Sequence, residues 1–331
     1  MKIAPRLLAV IVSLLVALVA AEVLFRVLDP YGVSYYGEVE HYRRDAIEEA
    51  PAEFHAEGRI FQNRPGVDLE LRRFRYRTDG RRLRRGATEP DDEAGALRIL
   101  FLGDSVTLAW GVDDEDSWVR RIERHGTSPD GRRLHCMNAG HLMYDTVQEA
   151  ALLRAWGPAL APDVVVLCFV FNDVQPTWNQ IQELTAGAPP DESGLRWRGS
   201  SVEGWLRATN AVLRYRRDSR QLAEADRSAL PPFSFYPDGW PRCATALDDV
   251  AAACAELEAQ LVLFDHTEPP LRELAAWCDA GGVPRVATFF TPAEEERDIR
   301  NSAVDPHANS LGNQLIADKA LAGLKRLGIL E

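Results

Sequence analysis

A serine, a histidine and a side-chain amide stand where they could carry out acyl transfer. Gly103-Asp104-Ser105 directly follows the apolar run Ile99–Leu102, so the serine sits where a buried strand gives way to a helix. A hydroxyl presented at such a turn is a weak nucleophile until a neighbouring base takes its proton. Asp305-Pro306-His307 precedes the last helical stretch, and its spacing allows the carboxylate to face the imidazole if the loop curls between them. Asn172-Asp173 follows the most hydrophobic run of the chain, where a side-chain amide could donate to a developing oxyanion. Each of these also has a plain structural reading: a turn for Asn172-Asp173, a loop and cap for Asp305 and His307.

The elements that must position them alternate between strand and helix. Strands are predicted at 98–102, 134–138, 164–169, 261–264 and, more weakly, 284–289; Val164–Phe169 is β-branched and unbroken, as in a central parallel strand. Helices are predicted at 118–125, 146–156, 244–259, 271–280 and 310–327, the last opened by Asn309 or Ser310 as cap. Strand–helix alternation implies a parallel sheet of about five strands, covered on both faces, with the site on the loops after the strands' carboxyl ends. The stretch 176–239 carries Pro189, Pro190, Pro231, Pro232 and Pro237 and reads as an insertion.

Taken together, the residues resemble the GDSL, or SGNH, hydrolase superfamily. Its four blocks are matched in order by Phe101–Thr107, by Met137-Asn138-Ala139-Gly140 with Tyr144-Asp145-Thr146, by Phe169–Asp173, and by Asp305–Gly312. The resemblance covers residues 97–328. It implies a three-layer α/β/α, flavodoxin-like SGNH fold, with Ser105 as nucleophile, His307 as base and Asp305 as its orienter. It further implies an oxyanion hole of the Ser105 N–H, the Asn172 amide and a second-block backbone N–H. The family's glycine five residues after the second-block Asn is here Met143, which leaves Gly140 as the nearby alternative donor. Two further departures are Val170, where the family often has Gly, and the spacing of Asp305, two rather than three residues before the histidine. The implied activity is that of a serine esterase or O-acyl transferase acting on an acylated glycan or lipid. The alternative is a non-catalytic cell-envelope protein that keeps the fold to bind glycans or assist polysaccharide assembly.

Lys2 and Arg6 precede the uncharged run Leu7–Ala21, and Glu22 and Arg26 lie one turn apart if residues 7–28 form one helix. This predicts a membrane anchor or signal segment over 1–29, with the anchor preferred over a secretory signal cleaved near Val19-Ala20-Ala21. Residues 30–96 then form an extracytoplasmic stalk or amino-terminal extension, and 97–331 the hydrolase-like domain. The layout is similar to the membrane-anchored bacterial branch of the superfamily. That branch implies a single pass through the inner membrane with the carboxyl-terminal domain outside, or a periplasmic or secreted chain after cleavage. Within the extension, Leu69–Arg77 partly alternates and suggests an edge strand, and Thr78-Asp79-Gly80 a turn. Its nine arginines between 64 and 85 suggest either an anion-binding patch or a solvated strand paired with the acidic run 89–93.

Composition excludes several classes. In 331 residues, 38 Lys plus Arg against 50 Asp plus Glu give a charge of −12, a poor balance for nucleic-acid binding. The five cysteines include no C-x-x-C pair, which argues against a disulfide scaffold or a zinc knuckle. His266 follows the fourth strand, but no second histidine stands at ligand spacing, so neither metal nor cofactor is implied. Either amino-terminal reading exports residues 30–331. A carboxyl-terminal reporter that works only outside the cytoplasm should therefore be active, and one that works only inside should be silent.

Overall fold

The computed structural model describes residues 3–29, 32, 34–52, 61–85, 94–174, 239–267 and 270–331. They fall into two compact units. The first comprises residues 1–40, 189–229 and 301–306; the second comprises 41–188, 230–300 and 307–331.

In the first unit, α1 (Ile3–Leu28) is one continuous helix. Its segment Arg6–Leu28 has a mean hydropathy of 2.8, and no residue of it is buried. Arg26 Nε donates to Glu22 Oε1 at 2.7 Å, so the two charges of this helix end neutralise each other one turn apart. Helix α2 (Ser34–Ala46) follows, its residues from His41 on belonging to the second unit. The sequence shows no clear period there, because the buried residues Tyr42 and Ala46 are spaced among charges.

In the second unit, strands β1 (Ile47–Glu49) and β2 (Phe61–Asn63) pair antiparallel, as do β3 (Asp68–Glu70) and β4 (Arg75–Arg77). The expected single edge strand over 69–77 is therefore a hairpin. It reverses at Leu71–Phe74, where the Leu71 N–H donates to the Phe74 carbonyl at 2.9 Å. The turn at Asp79 forms as expected, its carboxylate accepting the N–H of Arg81 and of Leu83. The acidic run 89–93, one expected partner of the arginines, lies outside the described residues. Arg75 and Arg77 pair with Asp68, Arg81 with Asp79, and Arg82 with Glu48. Arg84 and Arg85 are buried rather than solvated.

The sheet that carries the candidate site has five parallel strands: β5 (Leu97–Gly103), β6 (Leu134–Asn138), β7 (Val164–Phe169), β8 (Gln260–Asp265) and β9 (Arg285–Ala287). Their order, β6-β5-β7-β8-β9, is that of a flavodoxin-like doubly wound sheet. The helices are α3 (Ser105–Leu108), α4 (Trp118–His125), α5 (Thr146–Leu160), α6 (Gly239–Glu256), α7 (Arg272–Gly281), α8 (Pro292–Glu295) and α9 (Ser310–Arg326). Alternation along the strands divides the core into two layers. Leu100, Leu102, Val165, Leu167 and Leu263 pack with α5, α6 and α7. Ile99, Phe101, Val166, Val262 and Phe264 pack with α4 and α9. Both faces are covered, which is why the strands read as continuous apolar runs. All five cysteines are free and buried. The expected insertion over 176–239 lies, but for its last residue, outside the described residues.

Two glycines, one at the end of β5 and one after β6, let the chain pass close to α3. Gly103 has φ +152°, and a Cβ there would stand 2.1 Å from Thr107 Oγ1. Gly140, after β6, passes so close to α3 that a Cβ would lie 2.2 Å from the Leu108 nitrogen and 2.7 Å from the Thr107 carbonyl carbon. Backbone on both sides leaves no side chain to yield. Gly140→Ala should lower the urea midpoint by the equivalent of about 1–3 kcal/mol or more. Gly80→Ala, with open space around the new methyl, should leave the midpoint unchanged.

Candidate active site

Ser105 is the first residue of α3, at the carboxyl end of the interior strand β5. Asp104 caps that helix, its Oδ1 accepting the Val106 N–H at 2.8 Å. Ser105 Oγ lies 2.8 Å from His307 Nε2. The same hydroxyl lies 3.3 Å from Asp104 Oδ2, a longer contact competing for its single proton. His307 approaches from the loop before α9, 202 residues further along the chain. Asn309 holds that loop: its Oδ1 caps α9 through the N–H groups of Leu311 and Gly312. Its Nδ2 donates to the carbonyls of Asp298 and Arg300. The Trp110 ring backs the imidazole at 6.5 Å between centroids.

Asn172 lies in the 3-10 turn Phe171–Val174 that follows β7. Its Nδ2 donates to Asp104 Oδ2 at 2.7 Å. One carboxylate oxygen is thus within hydrogen-bond distance of both the nucleophile hydroxyl and the candidate oxyanion donor. An amide nitrogen carries two hydrogens, so one remains for a ligand. The turn itself is fixed by Asp173, which accepts the Val170 N–H at 2.6 Å and the Thr146 hydroxyl at 2.9 Å.

The two candidates for the second backbone donor differ. The Gly140 N–H donates to Asn138 Oδ1 at 3.0 Å. The Met143 N–H has no partner among the described residues, and neither does that of Ser105. Met143 adopts φ +69°, a left-handed conformation that costs a residue with a side chain roughly 1–2 kcal/mol. Its side chain is half-buried against the core layer formed with α5.

Asp305 lies in the turn 301–306. It is buried, its carboxylate accepting the Asn301 amide at 3.2 Å and its N–H donating to Ser302 Oγ at 3.0 Å. His266 is packed, its Nδ1 3.0 Å from the Thr288 carbonyl and its ring edge-on to Phe290. Burial, helped by the charges of Arg300 and Lys319, pushes its pKa down to about 4. Among the described residues, no group of three His, Cys, Asp or Glu side chains is placed to hold a metal ion.

Several residues with work at the site carried no signal by type or spacing. Asp104 belongs to the first block, yet nothing in the sequence says that its carboxylate holds Asn172. Asn138 opens the second block. Its side chain both receives the Gly140 N–H and donates to the Thr107 carbonyl at 2.8 Å. Beneath these loops lies a buried acidic layer of Asp104, Asp145, Glu149 and Asp173. Asp145 caps α5 and pairs with Arg242 of α6 at 2.6 Å. Neither carboxyl oxygen of Glu149 has a hydrogen-bond partner among the described residues. Burial first, and the neighbouring acids second, hold Glu149 and Asp173 well above the usual carboxylate range. Burial also raises Asp104, against the hydrogen bonds it accepts and the charge of His307.

No known family profile matches the chain, and no curated protein matches it in sequence. Solved structures do. The psychrotrophic esterase EstA from Pseudoalteromonas sp., inhibited by monoethylphosphonate, is 14% identical, with a TM-score of 0.43 over 70% of this chain and 98% of that one. A catalytic mutant of Axe2, an acetylxylan esterase from Geobacillus stearothermophilus, is 13% identical, with a TM-score of 0.41 over 70% and 96%. A GDSL-like lipase from Bacteroides thetaiotaomicron is 13% identical, with a TM-score of 0.36 over 70% and 89%. These are similarities of chain trace, and no residue's role rests on them.

Glu149 gives the site a pH signature. Its folded pKa is raised, so the folded state keeps the proton while the unfolded chain loses it near the ordinary 4.5. Stability is therefore lost as pH rises above that value. Glu149→Gln removes the titration. Its urea midpoint should exceed that of the wild type at pH 8, with the gap closing as pH falls towards 4.5.

Proposed function

We propose that the chain is a serine esterase or O-acyl transferase working through an acyl-enzyme. The observation that carries this reading is the 2.8 Å approach of His307 Nε2 to Ser105 Oγ at the carboxyl end of β5. Ser105 Oγ attacks the ester carbonyl while His307 takes its proton. The carbonyl oxygen becomes negative and is received by the Ser105 N–H, the Met143 N–H and the second hydrogen of the Asn172 amide. Collapse expels the alcohol, which takes the proton from His307. A water or a sugar hydroxyl, deprotonated by the same imidazole, then attacks the acyl-enzyme and restores the serine. Asp305 is assigned the role of orienting His307. Donors held in place before the reaction cost nothing to reorganise as charge develops, and the Asp104–Asn172 bond supports that role for the amide.

The substrate class follows from location. The segment 7–21 of helix α1 carries no charge and none of it is buried, and such a helix needs a covering that water does not supply. With Lys2 and Arg6 retained inside, it anchors the chain in a bacterial inner membrane and leaves the remainder outside. Acylated glycans and lipid esters are the esters such a site would meet. One feature favours a second reading, a glycan-binding protein without turnover: Met143 stands where the resembled family carries glycine.

A serine-directed fluorophosphonate and a panel of p-nitrophenyl esters decide between the two. The wild type should take the label and hydrolyse short-chain esters. Ser105→Ala should abolish both, and His307→Ala should lower kcat by about 10⁴–10⁶, with a smaller loss for Asp305→Ala. Asn172→Ala should cost about 10²–10³ in kcat with KM nearly constant, because the ground-state carbonyl accepts more weakly than the oxyanion. A folded wild type that neither labels nor turns over any ester would establish the binding reading instead.

A further inference from the structure

The turn that presents Ser105 is held from below by a cation that belongs to the amino-terminal extension. Arg84 is buried at 1% exposure. Its Nη1 donates to the Leu108 carbonyl and, at 2.7 Å, to the Ala109 carbonyl, and its Nη2 donates to the Val112 carbonyl. These carbonyls close α3 and the reversal after it, where Ala109 takes the left-handed conformation with φ +55°. The other carbonyls of the turn are satisfied separately. That of Asp104 accepts from Leu108 N, and that of Ser105 from Trp110 N. That of Val106 accepts from Trp118 Nε1, and that of Thr107 from Asn138 Nδ2. Leu108 and Ala109 alone in this run depend on a residue outside the sheet domain.

Arg84 is itself fixed. Its backbone forms an antiparallel bridge with Asn138 at the end of the edge strand β6, the Arg84 N–H donating to the Asn138 carbonyl at 2.9 Å. Its guanidinium carbon lies 5.7 Å from the Phe74 ring centre and 5.8 Å from that of Tyr76. Two aromatic faces and three carbonyls offset the removal of the charge from water. The planar fork places its donors on separate nitrogens in fixed directions, whereas a lysine ammonium carries its three on one atom, which is the distinction between the two residues here.

We propose that Arg84 is a positioning residue for the nucleophile: its guanidinium sets the placement of α3, and through it that of Ser105 Oγ against His307. This rests on the esterase reading above. It makes the segment 61–85 part of the catalytic apparatus, where its arginines had suggested an anion-binding patch. Without the guanidinium, three buried carbonyls lose their donor and the turn relaxes. A displacement of about 1 Å at a reacting atom can cost 10²-fold in rate.

The test compares Arg84→Lys and Arg84→Met with wild type in fluorophosphonate labelling, kcat, KM and melting temperature. A control, Leu324→Ala, lies near the far end of α9 and is fully buried. Arg84→Lys should lose roughly 10- to 100-fold in kcat and in labelling rate with KM within about twofold, and Arg84→Met should lose more. Leu324→Ala should melt earlier yet keep its kcat when assayed below its melting temperature. Either Arg84 variant with wild-type kcat and labelling rate while folded overturns the proposal. If Arg84→Met does not fold, Arg84→Lys decides alone. If the wild type itself takes no label, the esterase reading has failed. Arg84 is then judged by hydrogen exchange of the Leu108–Trp110 amides: faster exchange in Arg84→Lys supports the clamp, and unchanged exchange overturns it.

Discussion

The turn from Asp104 to Ala109 must satisfy all of its carbonyls in a space that Leu108, Ala109 and Trp110 close to water. An unpaired buried carbonyl costs about as much as a lost hydrogen bond, and a helix of one turn supplies only some of the partners from within. Further donors come from elsewhere: Trp118 from α4, Asn138 from the end of β6, and Arg84 from the extension. Each draws a different element towards the same six residues. Gly103 and Gly140 are the complement of this crowding, since the chain must pass where a Cβ would overlap backbone or the Thr107 hydroxyl.

The acidic layer follows from the same demand. Asp104, Asp145 and Asp173 each accept main-chain N–H groups at loop or helix starts. Carboxylates do this well because they offer several lone pairs. Burial raises the proton affinity of Asp104, and burial with the neighbouring like charges raises that of Asp173 and Glu149. Asp145 is paired with Arg242. Glu149 has no such partner among the described residues and keeps its proton. The site is thus organised by acids, while its one candidate base, His307, comes from the other end of the domain.

Much of this was legible in the sequence. The five strands of the sheet and the helices that cover it were visible because parallel strands buried on both faces leave unbroken apolar runs. Ser105, Asn172 and His307 stood out because strand ends and helix starts are marked by residue type. Helix α2 and the hairpin at 68–77 were not legible in this way. Their few buried positions, such as Tyr42 and Tyr76, are interspersed with charges and follow no sustained period.

What the sequence by itself determined is therefore local: which segments are strand or helix, where strands end, and which residue types stand at those ends. What only the tertiary structure decided is which distant groups meet. No periodicity relates Arg84 to Leu108 or Asp104 to Asn172, and the choice between Gly140 and Met143 depends on where one N–H points. These contacts depend on three-dimensional closeness and on satisfying buried polar atoms, and neither condition leaves a pattern along the chain.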